Sequence, residues 1–172
     1  MFRLTLPTTT DKALLYRQLS TDIRHLFRSE QDFIANAANL IALLFYTLPN
    51  LNWCGIYLNR WGELVLGPFQ GKPACIRIQF GKGVCGTAAG KRESIVVGNV
   101  QQFPGHIACD PESCSEVVIP LIKQNQLIGV LDLDSPQINN FDLQDKKGLE
   151  SLVRIFLDMS NLPDHLSGSR DV

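Results

Sequence analysis

Residues 115–135 read SEVVIPLIKQNQLIGVLDLDS, and the reading of this stretch decides the fold. Glu116 to Ile122 and Leu127 to Asp134 are rich in β-branched and aliphatic residues, and the polar Lys123-Gln124-Asn125-Gln126 lies between them. That pattern predicts a β-hairpin. Ile128 to Leu131 is apolar on both faces, which places the second strand inside a sheet. In Val130-Leu131-Asp132-Leu133-Asp134 a period of two puts Leu131 and Leu133 on one face. Asp132 and Asp134 fall on the other, about 7 Å apart. Two acids at the end of a central strand face either a solvent edge or a pocket. Glu116 begins the partner strand, so hairpin pairing brings it to the same end. In a pocket, like-charge repulsion and desolvation raise at least one pKa, and a neutral carboxylic acid can then donate a proton or hydrogen bond.

Upstream, Trp53 to Leu58 and Glu63 to Phe69 read as another hairpin around Asn59-Arg60-Trp61-Gly62. Cys75 to Phe80 is predicted as a third strand and Ser94 to Val97 as a fourth. Between them Gly81 to Gly90 is a glycine-rich segment with a short helix. Gly98 to Ser115 is a polar loop. Two helices come first. Thr10 to Arg28 brings Leu14, Leu19, Ile23, Leu26 and Phe27 near one face. Ser29-Glu30-Gln31-Asp32 reads as a capping box before a second helix. Its apolar face would be Phe33, Ile34, Ala37, Ala38, Ile41, Leu44 and Phe45, and Pro49-Asn50 ends it. A last helix starts at Phe141 to Asp145, with Asp142 as N-cap and Leu149, Leu152, Val153, Phe156 and Leu157 as the buried stripe. Helices flanking hairpin-linked strands make an α+β domain. The expected architecture is a mostly antiparallel sheet of about six strands, with the N- and C-terminal helices on one face and a loop-covered pocket on the other. Residues 1–162 form the domain and 163–172 a polar tail.

A chain of 172 residues with 45% hydrophobic and 19% charged residues is long enough for one cored domain and excludes a disordered chain. A formal net charge of −1 argues against a nucleic-acid binder or a polybasic membrane-surface protein. No apolar run approaches the length of a membrane span. The first fifteen residues lack the apolar core and cleavage site of a signal peptide, so a cytoplasmic address is expected.

The five cysteines are Cys54, Cys75, Cys85, Cys109 and Cys114. An odd number cannot pair completely within one chain, and without export they rest mostly reduced. No C-x-x-C occurs. His106 and Cys109 could supply metal ligands with Cys75 or Cys85, but the spacings fit no standard zinc pattern, and a hydrogen-bonded loop histidine is the plainer reading of His106. Gly81-Lys82-Gly83-Val84-Cys85-Gly86 matches G-x-G-x-x-G, yet the helix it opens is too short for a crossover. It is read as a tight turn allowing close backbone approach. Gly67 to Pro73 fails as a phosphate loop, being one residue short with Pro at the Ser/Thr position. Trp53 and Tyr57 share one face of their strand, either as core packing or as an aromatic wall for a small ligand.

The run Trp53-Cys54-Gly55-Ile56-Tyr57-Leu58, then LVLGPFQGKPACIRIQFGKGVCGTAA at 64–89, FPGHIACD at 103–110, SEVVIPL and LIGVLDLDS resembles the free methionine-(R)-sulfoxide reductase family, single GAF-type domains. The resemblance spans about residues 10–160. It implies that Cys109 is the catalytic cysteine and Cys85 its usual disulfide partner, with Cys75 an additional or alternative recycling cysteine. It implies that Glu116, Asp132 and Asp134 engage the sulfoxide oxygen and the amino-acid head, and that Trp53 and Tyr57 line the pocket. Cys54 and Cys114 depart from the family pattern, and Cys114, five residues from Cys109, could compete as resolving thiol.

The implied chemistry is attack of Cys109 on the sulfoxide sulfur, a sulfenic acid, then a disulfide reduced by an external dithiol such as thioredoxin. No metal or prosthetic cofactor is expected, and a homodimer is. The rival readings are a GAF-type small-ligand sensor, ordinarily joined to an output domain, and a thiol redox sensor without a specific substrate.

Overall fold

The computed structural model describes residues 9–107 and 109–163. All of the predicted polar tail except Pro163 lies outside the described residues. The chain runs α1 (Lys12–Leu26), α2 (Phe33–Thr47), β1 (Trp53–Arg60), β2 (Glu63–Gly71), β3 (Arg77–Gln79), α3 (Gly83–Lys91) and β4 (Ile95–Val97). A 3-10 turn at Val100–Gln102 precedes β5 (Ser115–Lys123), β6 (Gln126–Ser135) and α4 (Leu143–Met159). Six strands form one sheet in the order β3-β2-β1-β6-β5-β4, with every neighbouring pair antiparallel. The expected α+β architecture is observed. β6 is central, between β1 and β5, as its two-sided apolar run requires.

Strand alternation splits the core into two layers. Cys54, Ile56 and Leu58 of β1, Val117, Ile119 and Leu121 of β5, and Leu131 and Leu133 of β6 pack with α1, α2 and α4. Trp53 and Tyr57, Val118 and Val130 point to the opposite face, where α3 lies. The α4 stripe is buried as read, with Leu149, Leu152 and Phe156 fully enclosed. Asp142 and Asp145 close a full capping box at its start. Asp145 also accepts from the Tyr16 hydroxyl at 3.0 Å and pairs with Lys12, which ties α4 to α1.

Several local expectations are corrected. Ser29 does not cap α2. Asp32 does, accepting the Ala35 N–H at 2.8 Å, while Glu30 takes the N–H groups of Gln31 and Asp32. Leu14 is 48% exposed. Leu15, Leu19 and Ile23 set the buried face of α1, and the neighbouring position 14 lies about 100° around the helix from 15. Ile34 is likewise exposed on α2. The third strand is shorter than the predicted Cys75 to Phe80 because only Arg77–Gln79 pair with β2. The Cys75 carbonyl is taken instead by the Tyr57 hydroxyl at 3.0 Å, which bends the segment away from the ladder. Among the described residues no helix is long and apolar enough to cross a membrane.

Candidate active site

The pocket forms where β1, β5 and β6 end beneath three connecting segments. β1 supplies Trp53 and Tyr57, which stack at 5.8 Å, and Phe69 of β2 stacks behind Trp53 at 5.6 Å. Gly55 stands between the two aromatics in sequence, and the Trp53 ring lies across it where a Cβ would be. The pair is therefore both core and pocket wall. Each also holds the segment before β3 by a carbonyl: the Trp53 indole donates to Lys72 O at 3.1 Å and Tyr57 to Cys75 O.

The pocket floor is acidic. Glu116 and Asp134 are direct cross-strand partners in the β5–β6 register, and Asp132 lies two residues along the same face. All three line the cavity, and Glu116 and Asp132 are buried. Burial is the main cause that pushes each carboxyl upward. For Glu116 the neighbouring Asp132 and Asp134 add to it, and its pKa lies well above the usual carboxylate range. Asp134 is raised by burial, then by Asp132 and Asp110. Asp132 is pushed up to about 7, burial being partly offset by hydrogen bonds from Cys85 and Glu116. Asp132 Oδ1 is buried with no hydrogen-bond partner among the described residues.

Cys85 enters from α3. Gly81 and Gly83 take positive φ in the turn before it. A Cβ on Gly86 would stand 2.2 Å from the Gln79 carbonyl, so only glycine lets α3 lie against β3. The glycine-rich motif is thus a close-approach turn, as its sequence suggests. Gly86→Ala is expected to cost about 2 kcal/mol by overpacking, read from the urea unfolding midpoint. Cys85 Sγ donates to Glu116 Oε1 at 3.9 Å, and burial with Asp132 and Glu116 nearby drives its thiol pKa well up. Cys54 is equally buried but on the helix-packed face, away from the pocket.

Of the partners for Cys109 that the resemblance leaves open, the structure has the alternative one, Cys75. Cys109 is bonded to Cys75, with a Cα–Cα separation of 5.6 Å, and Cys85 is free. Cys75 is fixed in reach by the Tyr57 hydroxyl, whereas the Cys85 thiol is turned to the acids. Cys114 is also free, half-buried, with its thiol toward the Glu112 carbonyl at 3.6 Å. The metal set suggested around His106 and Cys109 loses Cys75 and Cys109 to each other. His106 sits over the floor with Nε2 3.9 Å from Glu116 Oε2, and burial lowers its pKa. Cys85, Glu116 and Asp132 form the one compact cluster of potential ligand atoms among the described residues.

Asp110 escaped the residue-by-residue reading. Its Oδ1 accepts the Glu112 N–H at 3.0 Å, and its Oδ2 accepts from Asn52 Nδ2 at 3.3 Å and lies 3.4 Å from Lys72 Nζ. Backbone hydrogen bonding and then Lys72 keep it ionised, its pKa below the usual value. Asn52 also donates to Ser113 Oγ at 3.0 Å. Apart from Glu112, these partners are 38 to 61 residues apart in sequence, so local spacing carries no signal of them. The cavity left between floor and disulfide is about 30 Å³, room for a water or two.

Comparison with known proteins agrees with this geometry. The GAF domain family model matches residues 32–156. The free methionine-R-sulfoxide reductase of Escherichia coli is 48% identical over 143 residues, 83% of this chain and 87% of that protein. The free methionine-R-sulfoxide reductase of Saccharomyces cerevisiae is 40% identical over 153 residues, 84% of this chain and 85% of that one. The crystallised free methionine-R-sulfoxide reductase of Neisseria meningitidis, in complex with its substrate, superposes with a TM-score of 0.88 at 42% identity. It covers 92% of this chain and 95% of its own.

Proposed function

We infer that this chain, which belongs to the free methionine-R-sulfoxide reductase family of GAF domains and is an oxidoreductase, reduces free L-methionine-(R)-sulfoxide to L-methionine. The observation that carries this reading is a disulfide, Cys75–Cys109, whose Cys109 lines a pocket shared with three carboxyl groups held toward the neutral form.

In this reading the Cys109 thiolate attacks the sulfoxide sulfur. A protonated member of the Glu116, Asp132 and Asp134 group hydrogen-bonds the oxygen as negative charge grows there. The sulfoxide gives up its oxygen and gains two electrons, and methionine leaves. Cys109 carries the oxygen as a sulfenic acid. The Cys75 thiol condenses with it, water departs, and the disulfide forms. An external dithiol such as thioredoxin then returns both thiols by exchange, a route suited to the reducing cytoplasm. Cys85 remains a neutral hydrogen-bond donor to the floor, because desolvation and two neighbouring acids oppose its thiolate.

Another member of the same acid group, once ionised, holds the substrate ammonium. Trp53 and Tyr57 flank the thioether. The cavity of the disulfide form, about 30 Å³, has room for water and not for an amino acid, which supports the disulfide as the last state of the cycle. Reduction has to free the Cys75 and Cys109 segments before substrate enters. Two copies pair in this reading, with the exposed Ile34 and Tyr46 of α2 as the apolar surface available to them.

The test is incubation with free methionine-(R)-sulfoxide and dithiothreitol, followed by amino-acid analysis. Methionine is expected, with the N-acetylated sulfoxide turned over about a hundredfold more slowly because the floor loses its cation. A protein that binds the sulfoxide, or oxidises its thiols, without releasing methionine is a sensor, and that result ends the reductase reading.

A further inference from the structure

Between the disulfide and the body of the domain lies a group of side chains that the reaction above does not use. Asp110 follows the nucleophile directly, and Lys72 lies three residues before Cys75. Asp110 is buried, and its two oxygens are fully engaged: Oδ1 with the Glu112 N–H, Oδ2 with Asn52 and Lys72. Asn52, just before β1, reaches on to Ser113 Oγ, so both sides of the bend after Cys109 are fastened to the residue that enters β1. Ser113 N returns to Asp110 O at 3.2 Å and closes that bend. Across the gap, Lys72 Nζ spans Asp110 at 3.4 Å and Glu112 at 2.5 Å, while its own carbonyl is held by the Trp53 indole. Lys72 therefore joins the segment carrying Cys75 to the segment carrying Cys109 through Asp110 and Glu112, and Asp110 is held in turn by Asn52 before β1.

We propose that Asp110 is the positioning residue of the recycling step: through Asn52, Lys72 and the backbone of Glu112 it holds the Cys109 segment against the Cys75 segment, so that the sulfenic acid meets Cys75 before solvent or a second oxidant. The step it serves is balanced as Cys109–SOH plus Cys75–SH giving the disulfide and water. Two sulfurs borne by separate loops form a bond only when their Cα atoms come within a narrow range, here 5.6 Å. A carboxylate touching neither sulfur can set that distance. The Lys72 arm is solvent-exposed and contributes a minor share, and the Asn52 and backbone arms, which are part-buried, contribute the greater one. Asp110 also stands among the charges that raise Asp134, so its loss lowers the pKa of that acid as well.

The inference rests on the reductase reading only for its physiological meaning. Its test generates the sulfenic acid in two ways, with one equivalent of free methionine-(R)-sulfoxide and with one equivalent of hydrogen peroxide. Disulfide closure is followed by thiol counting, and open sulfenic acid by dimedone labelling of Cys109. In Asp110→Asn, closure after peroxide is expected to slow about tenfold and the Cys109 adduct to accumulate. Lys72→Met is expected to slow closure about threefold, with recovery in Lys72→Arg and with Lys72→Glu slower than either. In the sulfoxide arm, closure falls by a larger factor than release of the first methionine, a split that general loosening of the fold does not produce. Closure at the wild-type rate in both Asp110→Asn and Lys72→Glu overturns the proposal, as does an equal fall of release and closure. Should Asp110→Asn fail to fold by circular dichroism, the Lys72 series decides. A wild-type protein that closes its disulfide after peroxide but releases no methionine from the sulfoxide sinks the reductase reading and leaves this one standing.

Discussion

Cys109→Ser is expected to release no methionine, while Cys75→Ser releases about one methionine per chain and then stops unless a thiol reaches Cys109 from outside. The two variants fail at different bonds. Without the Cys109 sulfur nothing attacks the sulfoxide, since a serine hydroxyl at neutral pH is a far weaker nucleophile than a thiolate. Without Cys75 the first oxygen transfer proceeds, but the sulfenic acid has lost the partner that the structure places beside it. Cys85→Ser is the informative comparison. The family resemblance makes Cys85 the usual partner of Cys109, and on that ground it too should stall after one turn. The structure has Cys85 free and bound to Glu116, its thiolate opposed by burial and by two acids. Cys85→Ser is therefore expected to keep turning over while Cys75→Ser does not. Rapid quench with one and with ten equivalents of sulfoxide, with methionine and thiols counted, separates the two pairings. Continued turnover by Cys75→Ser and arrest of Cys85→Ser would return the resolving role to Cys85.

Asp132→Asn is expected to slow methionine release by about a thousandfold and at the same time to stabilise the fold at neutral pH. The activity loss follows from removing the carboxyl that titrates at about 7 on a floor where hydrogen bonds from Cys85 and Glu116 converge. The stability gain follows from the direction of its shift. Its folded pKa lies above the ordinary value of 3.8, so the folded protein keeps a proton that the unfolded chain gives up. Below pH about 4 both states are protonated and burial carries no ionisation penalty. From pH about 4 to about 7 the unfolded chain is ionised while the folded protein holds its proton, so stability falls across that window, by on the order of 4 kcal/mol, and levels off once the folded group ionises too. Glu116 and Asp134 are shifted the same way. Urea unfolding of the disulfide form at pH 5 and pH 8 reads the effect. The advantage of Asp132→Asn over wild type should widen at the higher pH. An advantage that is constant with pH would mean that Asp132 titrates as an ordinary carboxylate.

Much of the domain was legible because its signals are local. Period-two alternation in Val130 to Asp134 assigned Asp132 and Asp134 to one face, and the register pairing Glu116 with Asp134 completed the acid floor. Trp53 and Tyr57, four apart on β1, fell on the pocket side by the same arithmetic, and the two readings of them proved compatible. Boundaries failed where a side chain outcompeted the backbone. Glu30 and Asp32, not Ser29, satisfied the start of α2, and the Tyr57 hydroxyl removed Cys75 from the third strand.

The residues by themselves determined the α+β hairpin architecture, the central place of the LDLDS strand, the grouping of Glu116, Asp132 and Asp134, and, through the family motifs, membership of the reductase family. Only the tertiary structure decided that Cys109 is bonded to Cys75, that the Cys85 thiol is turned to Glu116, and that Asp110 joins Lys72 of the Cys75 segment to Asn52 before β1. The physical reason is range. Alternation and capping act over a few residues and are written into composition. Bringing loops 34 to 61 residues apart within bonding distance depends on how the packed sheet closes them, which no short-range pattern encodes.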